Sequence, residues 1–211
     1  MTPRLFLALP LILCAVQAQA HPHIFVDTAL HIDVDDAGQA TGISVTWTYD
    51  DFFSLLIFED MGLDPDGDAH LTQAELDKLR GFDMIEWPDG FEGDLYMFRN
   101  GEKQPLDFPE VTGIDVVDGR IVASHHRTFR PAPAEELAFL QYDPTFYVAY
   151  TVTDDVTADH GCRVVIDRVD KDVAAETVEN LTKSDPEAMF EVLQLGIHYA
   201  DTILLTCGMD G

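Results

Sequence analysis

Asp64-Pro65-Asp66-Gly67-Asp68-Ala69-His70-Leu71-Thr72-Gln73-Ala74-Glu75 carries carboxylates at its first, third and fifth positions and closes on a glutamate. A calcium ion takes six to eight oxygens, and a twelve-residue loop delivers them from positions 1, 3, 5, 7, 9 and 12. Those positions are Asp64, Asp66, Asp68, the backbone carbonyl of His70, Thr72 acting through a water, and Glu75. Leu71 is an apolar eighth residue that packs under such a loop. Upstream, Phe52-Phe53-Ser54-Leu55-Leu56-Ile57-Phe58-Glu59 reads as an entering helix. Downstream, Thr72-Gln73-Ala74-Glu75 has the capping-box pattern that starts an exiting helix. Residues 51–86 therefore read as a helix-loop-helix. The bland alternative is an acidic, solvated loop that binds nothing tightly.

The pattern resembles the calcium loop of an EF-hand. It departs at the sixth position, where the backbone turns sharply and glycine is usual. Here Ala69 stands, and a Cβ in a left-handed conformation costs about 1–2 kcal/mol. Weak binding follows, with the ligands intact. The chain has no second loop of this kind, so a structural calcium is expected rather than a switch.

Around this insert the chain reads as strands. Ile24, Val26, Leu30, Ile32 and Val34 alternate with Phe25, Asp27, His31 and Asp33, which marks a strand with one buried face. Asp35-Asp36-Ala37-Gly38 is a turn, and Ile43, Val45, Trp47 and Tyr49 complete a hairpin. Asp50 or Asp51 can cap the entering helix. Asn100-Gly101 and Asp118-Gly119 mark two more hairpin turns. Pro131 and Pro133 suggest a linker. Further strands are expected at Leu137 to Gln141, Phe146 to Val152, Cys162 to Val169 and Ile203 to Cys207. Residues 174–199 have a helical pattern interrupted at Asp185-Pro186. The expected fold is α+β, mainly an antiparallel β-sandwich with the helix-loop-helix insert and a C-terminal helix.

The N-terminus has Arg4, an apolar run from Leu5 to Val16, and Ala18-Gln19-Ala20. That sequence of regions is an export signal over residues 1–20, cleaved before His21. Residues 21–211 then form a single exported, periplasmic domain with no membrane insertion after cleavage. The new N-terminus, His21-Pro22-His23, offers an α-amine and two imidazoles to a transition metal: nickel, cobalt, zinc or copper. His23 and His31 are too far apart along an extended strand to share one ion. The sequence has 39 acidic residues against 12 basic, a formal charge of −27. That excludes nucleic acid and anionic membranes as natural partners and favours cations. Cys162 and Cys207 remain after processing, and an even count in an exported chain implies a disulfide.

His125-His126 lies on a strand, so one of the two can face a site, and a role beside His21 and His23 is one option. His160 in a turn and His198 on a helix read as structural or surface residues. No nucleophile elbow, zinc-protease helix, phosphate loop or dinucleotide fingerprint is present. Nothing selects an enzyme, and none is expected.

His21-Pro22-His23-Ile24-Phe25-Val26-Asp27, Trp47-Thr48-Tyr49-Asp50-Asp51-Phe52-Phe53, the calcium-type loop, Tyr142-Asp143-Pro144-Thr145-Phe146-Tyr147 and the Cys162/Cys207 pair together resemble one family. It is the uncharacterised family of bacterial exported proteins labelled as the periplasmic component of an ABC-type transport system. The resemblance covers nearly the whole mature chain. It implies metal handling beside a membrane metal permease of the nickel/cobalt type. The expected function is a periplasmic divalent-metal-binding protein serving a metal transporter, with a structural calcium. The alternatives are a copper- or zinc-dependent enzyme and a calcium-stiffened interaction module.

Overall fold

The computed structural model describes residues 22–84, 87, 91–182 and 194–208. The stretch read as an export signal, His21 and the Asp185-Pro186 break lie outside the described residues. Among the described residues ten strands form two five-stranded sheets, and three α-helices complete an α+β, sheet-rich architecture.

The first sheet contains β1 (Ile24–Val34), β2 (Gln39–Tyr49), β5 (Glu110–Val117), β6 (Arg120–Pro133) and β8 (Val148–Ala158), in the order β5-β6-β2-β1-β8. The second contains β3 (Leu95–Arg99), β4 (Glu102–Gln104), β7 (Leu137–Gln141), β9 (Arg163–Asp167) and β10 (Thr202–Thr206), in the order β4-β3-β7-β10-β9. Strand periodicity sorts the faces. Val26, Leu30, Ile32 and Val34 of β1 are buried, while Asp27, His31 and Asp33 are half-buried on the other face. One apolar cluster takes Ile32, Ile43 and Ile121 from the first sheet and Leu95, Leu137, Phe139 and Ile203 from the second.

The hairpin turns work through backbone sign. Asn100 and Gly101 have φ of 52° and 83°, and Asp118 and Gly119 have 51° and 79°. Two successive positive φ values match the twist of antiparallel strands. Two features depart from the sequence reading. Pro131 and Pro133 are not in a linker. They lie in the last residues of β6, where Pro133 pairs with Gln39 and the β2–β6 register shifts. Proline is tolerated where a ladder is irregular. The second departure is β8, which pairs parallel to β1 although the other strand pairs are antiparallel.

The first helix, α1 (Asp51–Met61), is capped by Asp50, whose carboxylate accepts the Phe53 N–H at 2.9 Å. The other oxygen accepts the Phe25 N–H at 2.8 Å, so one side chain joins the start of β1 to the helix. Gly62 ends the helix in a left-handed conformation. The helix α2 (Gln73–Leu79) follows the acidic loop, and α3 (Lys171–Thr182) follows β9. Of the helical pattern expected over 174–199, the described residues show the later part of α3 and a 3₁₀ turn at Leu195–Tyr199, which carries His198. A disulfide joins Cys162, just before β9, to Cys207, just after β10. It is compatible with an exported protein. Among the described residues no helix is long and apolar enough to cross a membrane.

Candidate functional site

The acidic loop is built by local hydrogen bonds. Asp64 has φ 51° and turns its carboxylate back over the loop. Its two oxygens accept the Asp68 N–H at 3.0 Å and the Ala69 N–H at 3.1 Å. Ala69 has φ 62°, the left-handed turn expected at the sixth position. Asp64, Asp66 and Asp68 bring ligand oxygens within 4.8 Å of one another. Two Ca–O bonds laid end to end span about 4.8 Å, so the three carboxylates fit around one calcium ion. The other sequence-picked ligands are engaged locally. Glu75 accepts the Asp64 N–H at 3.2 Å, and the Thr72 N–H and hydroxyl at 2.8 and 2.6 Å. The bonds from Thr72 hold its carboxyl below the usual range. The His70 ring sits 2.7 Å from the Asp68 carbonyl.

A second locus is a cleft of about 440 Å³. Three sequence segments far apart in the chain meet there: Ile24 from the first, Trp47, Tyr49 and Phe53 from the second, and Asp143, Thr145 and Tyr147 from the third. Asp143-Pro144-Thr145 forms a turn in which the Asp143 carboxylate accepts the N–H groups of Thr145 and Val148, at 2.8 and 2.9 Å. That turn presents Tyr147 to the N-terminal segment. The His23 N–H donates to the Tyr147 carbonyl at 2.8 Å, and the two rings lie 4.7 Å apart. His23 therefore stands beside the cleft.

Besides the buried Asp143, two further carboxylates line the same cleft, the buried Asp94 and the half-buried Asp83. Asp94 accepts the Tyr150 hydroxyl at 3.0 Å, and Asp83 accepts the Tyr49 hydroxyl at 3.1 Å. Burial, with the Asp143 charge adding to it, pushes the Asp94 carboxyl up to about 8. Asp83 is raised too, chiefly by burial. Trp47 leaves its indole N–H without a hydrogen-bond partner among the described residues. The sequence reading missed Asp83 and Asp94, since 39 acidic residues offer no way to rank them. The signal was Asp94 at the head of the apolar Leu95-Tyr96-Met97 run, where a carboxylate enters a core.

The histidines separate. His125 turns into the core, edge-on to Trp47 at 4.7 Å, and burial pushes its imidazole down to about 3. His126 faces the other way and meets Asp33, near the end of β1 opposite to His23. The placement of His125-His126 beside His23 is not observed. His160 contacts Asp36 at 3.2 Å in a turn.

The family model described as "Protein of unknown function (DUF1007)" matches residues 6–207. A Haemophilus influenzae protein described as uncharacterized is 28% identical over 203 residues, covering 89% of this chain and 91% of that protein. Among solved structures, the Biomphalaria glabrata acetylcholine-binding protein type 1 aligns over 93% of this chain and 89% of that one, at 12% identity and a TM-score of 0.32. So slight a likeness carries no inference about fold or ligand.

Proposed function

The chain belongs to the DUF1007 family, and we propose that it is an exported, periplasmic protein that binds divalent metal ions and serves a membrane metal transporter. On this reading residues 1–20 are its export signal. Residues 21–211 are one domain, a β-sandwich with an EF-hand-like insert over 51–86. The observation that carries the metal reading is the gathering of Asp64, Asp66 and Asp68 within the span of one calcium ion. Calcium there is structural: it joins α1 to α2 across a loop that carries a left-handed alanine. Glu75 and Thr72 complete the shell by releasing their mutual hydrogen bonds, and the His70 carbonyl supplies a further oxygen.

His21 and His23 hold a transition ion: nickel, cobalt, zinc or copper. The support is His23, fixed by Tyr147 beside a cleft that holds three carboxylates. Neutral imidazoles and an amine suit such ions better than calcium. Docking on a permease draws support from α1, whose Phe52, Leu55 and Leu56 are 67, 59 and 44% exposed, with Phe25 nearby at 54%. An uncovered apolar patch of this kind marks an interaction surface.

Metal analysis of the protein purified from the periplasm tests the proposal. One calcium and at least one transition ion per chain support it. Loss of one transition ion in His21→Ala, His23→Ala protein assigns that ion to the N-terminus. A metal-free protein whose melting temperature ignores both ions overturns it. The rival reading, a metal-dependent enzyme, is favoured by one observation: Asp94, a buried acid with a raised pKa in a cleft. Turnover in the metal-loaded protein that disappears in Asp94→Asn would select that rival.

A further inference from the structure

The register of the first sheet assembles a second set of donors, remote from both the acidic loop and the cleft. Thr157 of β8 pairs with His31 of β1, His31 with Ser44 of β2, and Ser44 with His126 of β6. Paired residues share a face, so these four form one row on the half-exposed side of the sheet. In the next row Asp33 pairs with Gly42. Gly42 has no side chain, and Asp33 reaches across it, bringing Oδ2 2.6 Å from His126 Nε2. A Cβ on Gly42 would stand 2.6 Å from that oxygen and 2.7 Å from that nitrogen. Asp159, in the turn after β8, approaches from the other side. Its Oδ1 is 3.3 Å from His31 Nε2, and Asp33 Oδ1 is 3.7 Å from the same nitrogen.

We propose that His31, Asp33 and Asp159 form a binding site for a divalent first-row transition ion of the zinc class, with His126 as the residue that positions Asp33. This site needs neither the calcium-type loop nor the N-terminal histidines. A four-coordinate ion with bonds near 2.1 Å keeps its ligand atoms about 3.4 Å apart. The distances from His31 Nε2 already match, and all three ligand atoms lie within 4.8 Å of one another. The support around them also fits. His31 Nδ1 is 2.8 Å from the Thr157 hydroxyl. With the imidazole donating there, the Nε2 lone pair points at the carboxylates. Outer-shell partners of this kind select the tautomer and orientation of a ligating histidine. Imidazole with carboxylate suits zinc, nickel, cobalt or copper. The four side chains are 27 to 45% exposed, so an ion can reach the site and leave it. Three protein donors leave one position for water or for a donor from a partner. The site is thus one for loading and release, unlike a closed structural centre.

The experiment titrates the full exported chain with Zn²⁺, and with Co²⁺ as a spectroscopic probe, under saturating Ca²⁺. Calorimetry should report a zinc ion that persists in His21→Ala, His23→Ala protein and in Glu75→Gln protein. His31→Ala or Asp159→Asn should weaken its binding by roughly 100-fold or more and abolish the visible band of four-coordinate Co²⁺. His126→Ala should weaken it by about 10-fold, the scale of an outer-shell loss. Gly42→Ala should also weaken it by displacing Asp33. Unchanged thermal unfolding of the metal-free variants shows that they fold. Zinc binding that ignores His31→Ala and Asp159→Asn overturns the proposal and leaves an ion pair of His31 with its two aspartates. Zinc binding abolished by the N-terminal double variant alone overturns it equally. A missing calcium response with an intact zinc site would sink only the loop reading.

Discussion

The acidic loop and the His31 cluster gather donors in opposite ways. The loop does so within twelve contiguous residues, by two turns and a left-handed alanine at φ 62°. The cluster takes His31 and Asp33 from β1, His126 from β6 and Asp159 from the turn after β8. A contiguous site depends on local dihedrals, so a substitution damages only that site. An assembled site depends on register, and a slip of one residue turns every side chain to the other face. The difference teaches that the same donor chemistry can be robust or fragile according to how much of the fold must form first.

Removing the disulfide tests this contrast with the largest effect. The Cys162 N–H donates to the Asp159 carbonyl at 3.1 Å, so the bridge anchors the turn that carries Asp159. Cys162→Ser, Cys207→Ser protein should lose about 4 kcal/mol of stability on the chain-entropy account of a loop this long, read by urea unfolding. Its zinc affinity should drop while its calcium response survives. Equal loss of both would erase the distinction between contiguous and assembled sites.

The pH dependence sharpens the comparison by isolating a background common to both sites. Asp94, raised to about 8, keeps a proton in the folded state that the unfolded chain releases near its ordinary value of 3.8. Between those values the folded state binds more protons, so stability falls as pH rises, by up to about 1.4 kcal/mol per unit, and levels off above the folded pKa. His125, lowered to about 3, acts in the opposite sense: its contribution is lost as pH falls below 6.5. The window from about 6.5 to 8 therefore separates Asp94 from His125. Denaturation midpoints across that window should fall in the parent and stay level in Asp94→Asn. A slope that persists in the variant removes Asp94 as its source.

Calcium gives the next effect. A ligand bound only by the folded state stabilises by RT ln(1 + [L]/Kd). With Kd in the 10⁻⁴ to 10⁻³ M range of extracellular modules, millimolar calcium should add about 1 kcal/mol. Glu75→Gln should remove most of that rise in melting temperature and leave zinc binding unaltered. An undiminished calcium response in this variant would move calcium off the loop.

The smallest effect belongs to Ala69→Gly. It relieves a left-handed Cβ worth about 1–2 kcal/mol but adds unfolded-state freedom worth about 0.5–1 kcal/mol. A net gain of roughly 0.5–1 kcal/mol should appear in calcium-loaded protein. A loss would mean that the loop uses its alanine for packing, for instance against Gly119, where the nearest approach of an added Cβ to Ala69 is 3.5 Å.

What could be read from the sequence was local. Alternation of apolar residues predicted the faces of β1 and β2. Asn-Gly and Asp-Gly predicted hairpins because those residues accept positive φ, and the Thr72–Glu75 pattern predicted the start of α2. The pairing of Cys162 with Cys207 was expected from the even cysteine count left by the export-signal reading, and the disulfide is observed. The α+β class was legible for the same reason. Only the tertiary structure decided what depends on register and burial. It paired β8 parallel to β1, kept Pro131 and Pro133 within β6, and sent His125 inward and His126 outward to Asp33. It singled out Asp83 and Asp94 from 39 acidic residues by withdrawing them from water, Asp94 fully and Asp83 in part, and it joined three separated segments around one cleft. Turns and periodicity are properties of neighbouring residues, whereas a carboxylate's neighbours across a sheet exist only once the strands have paired.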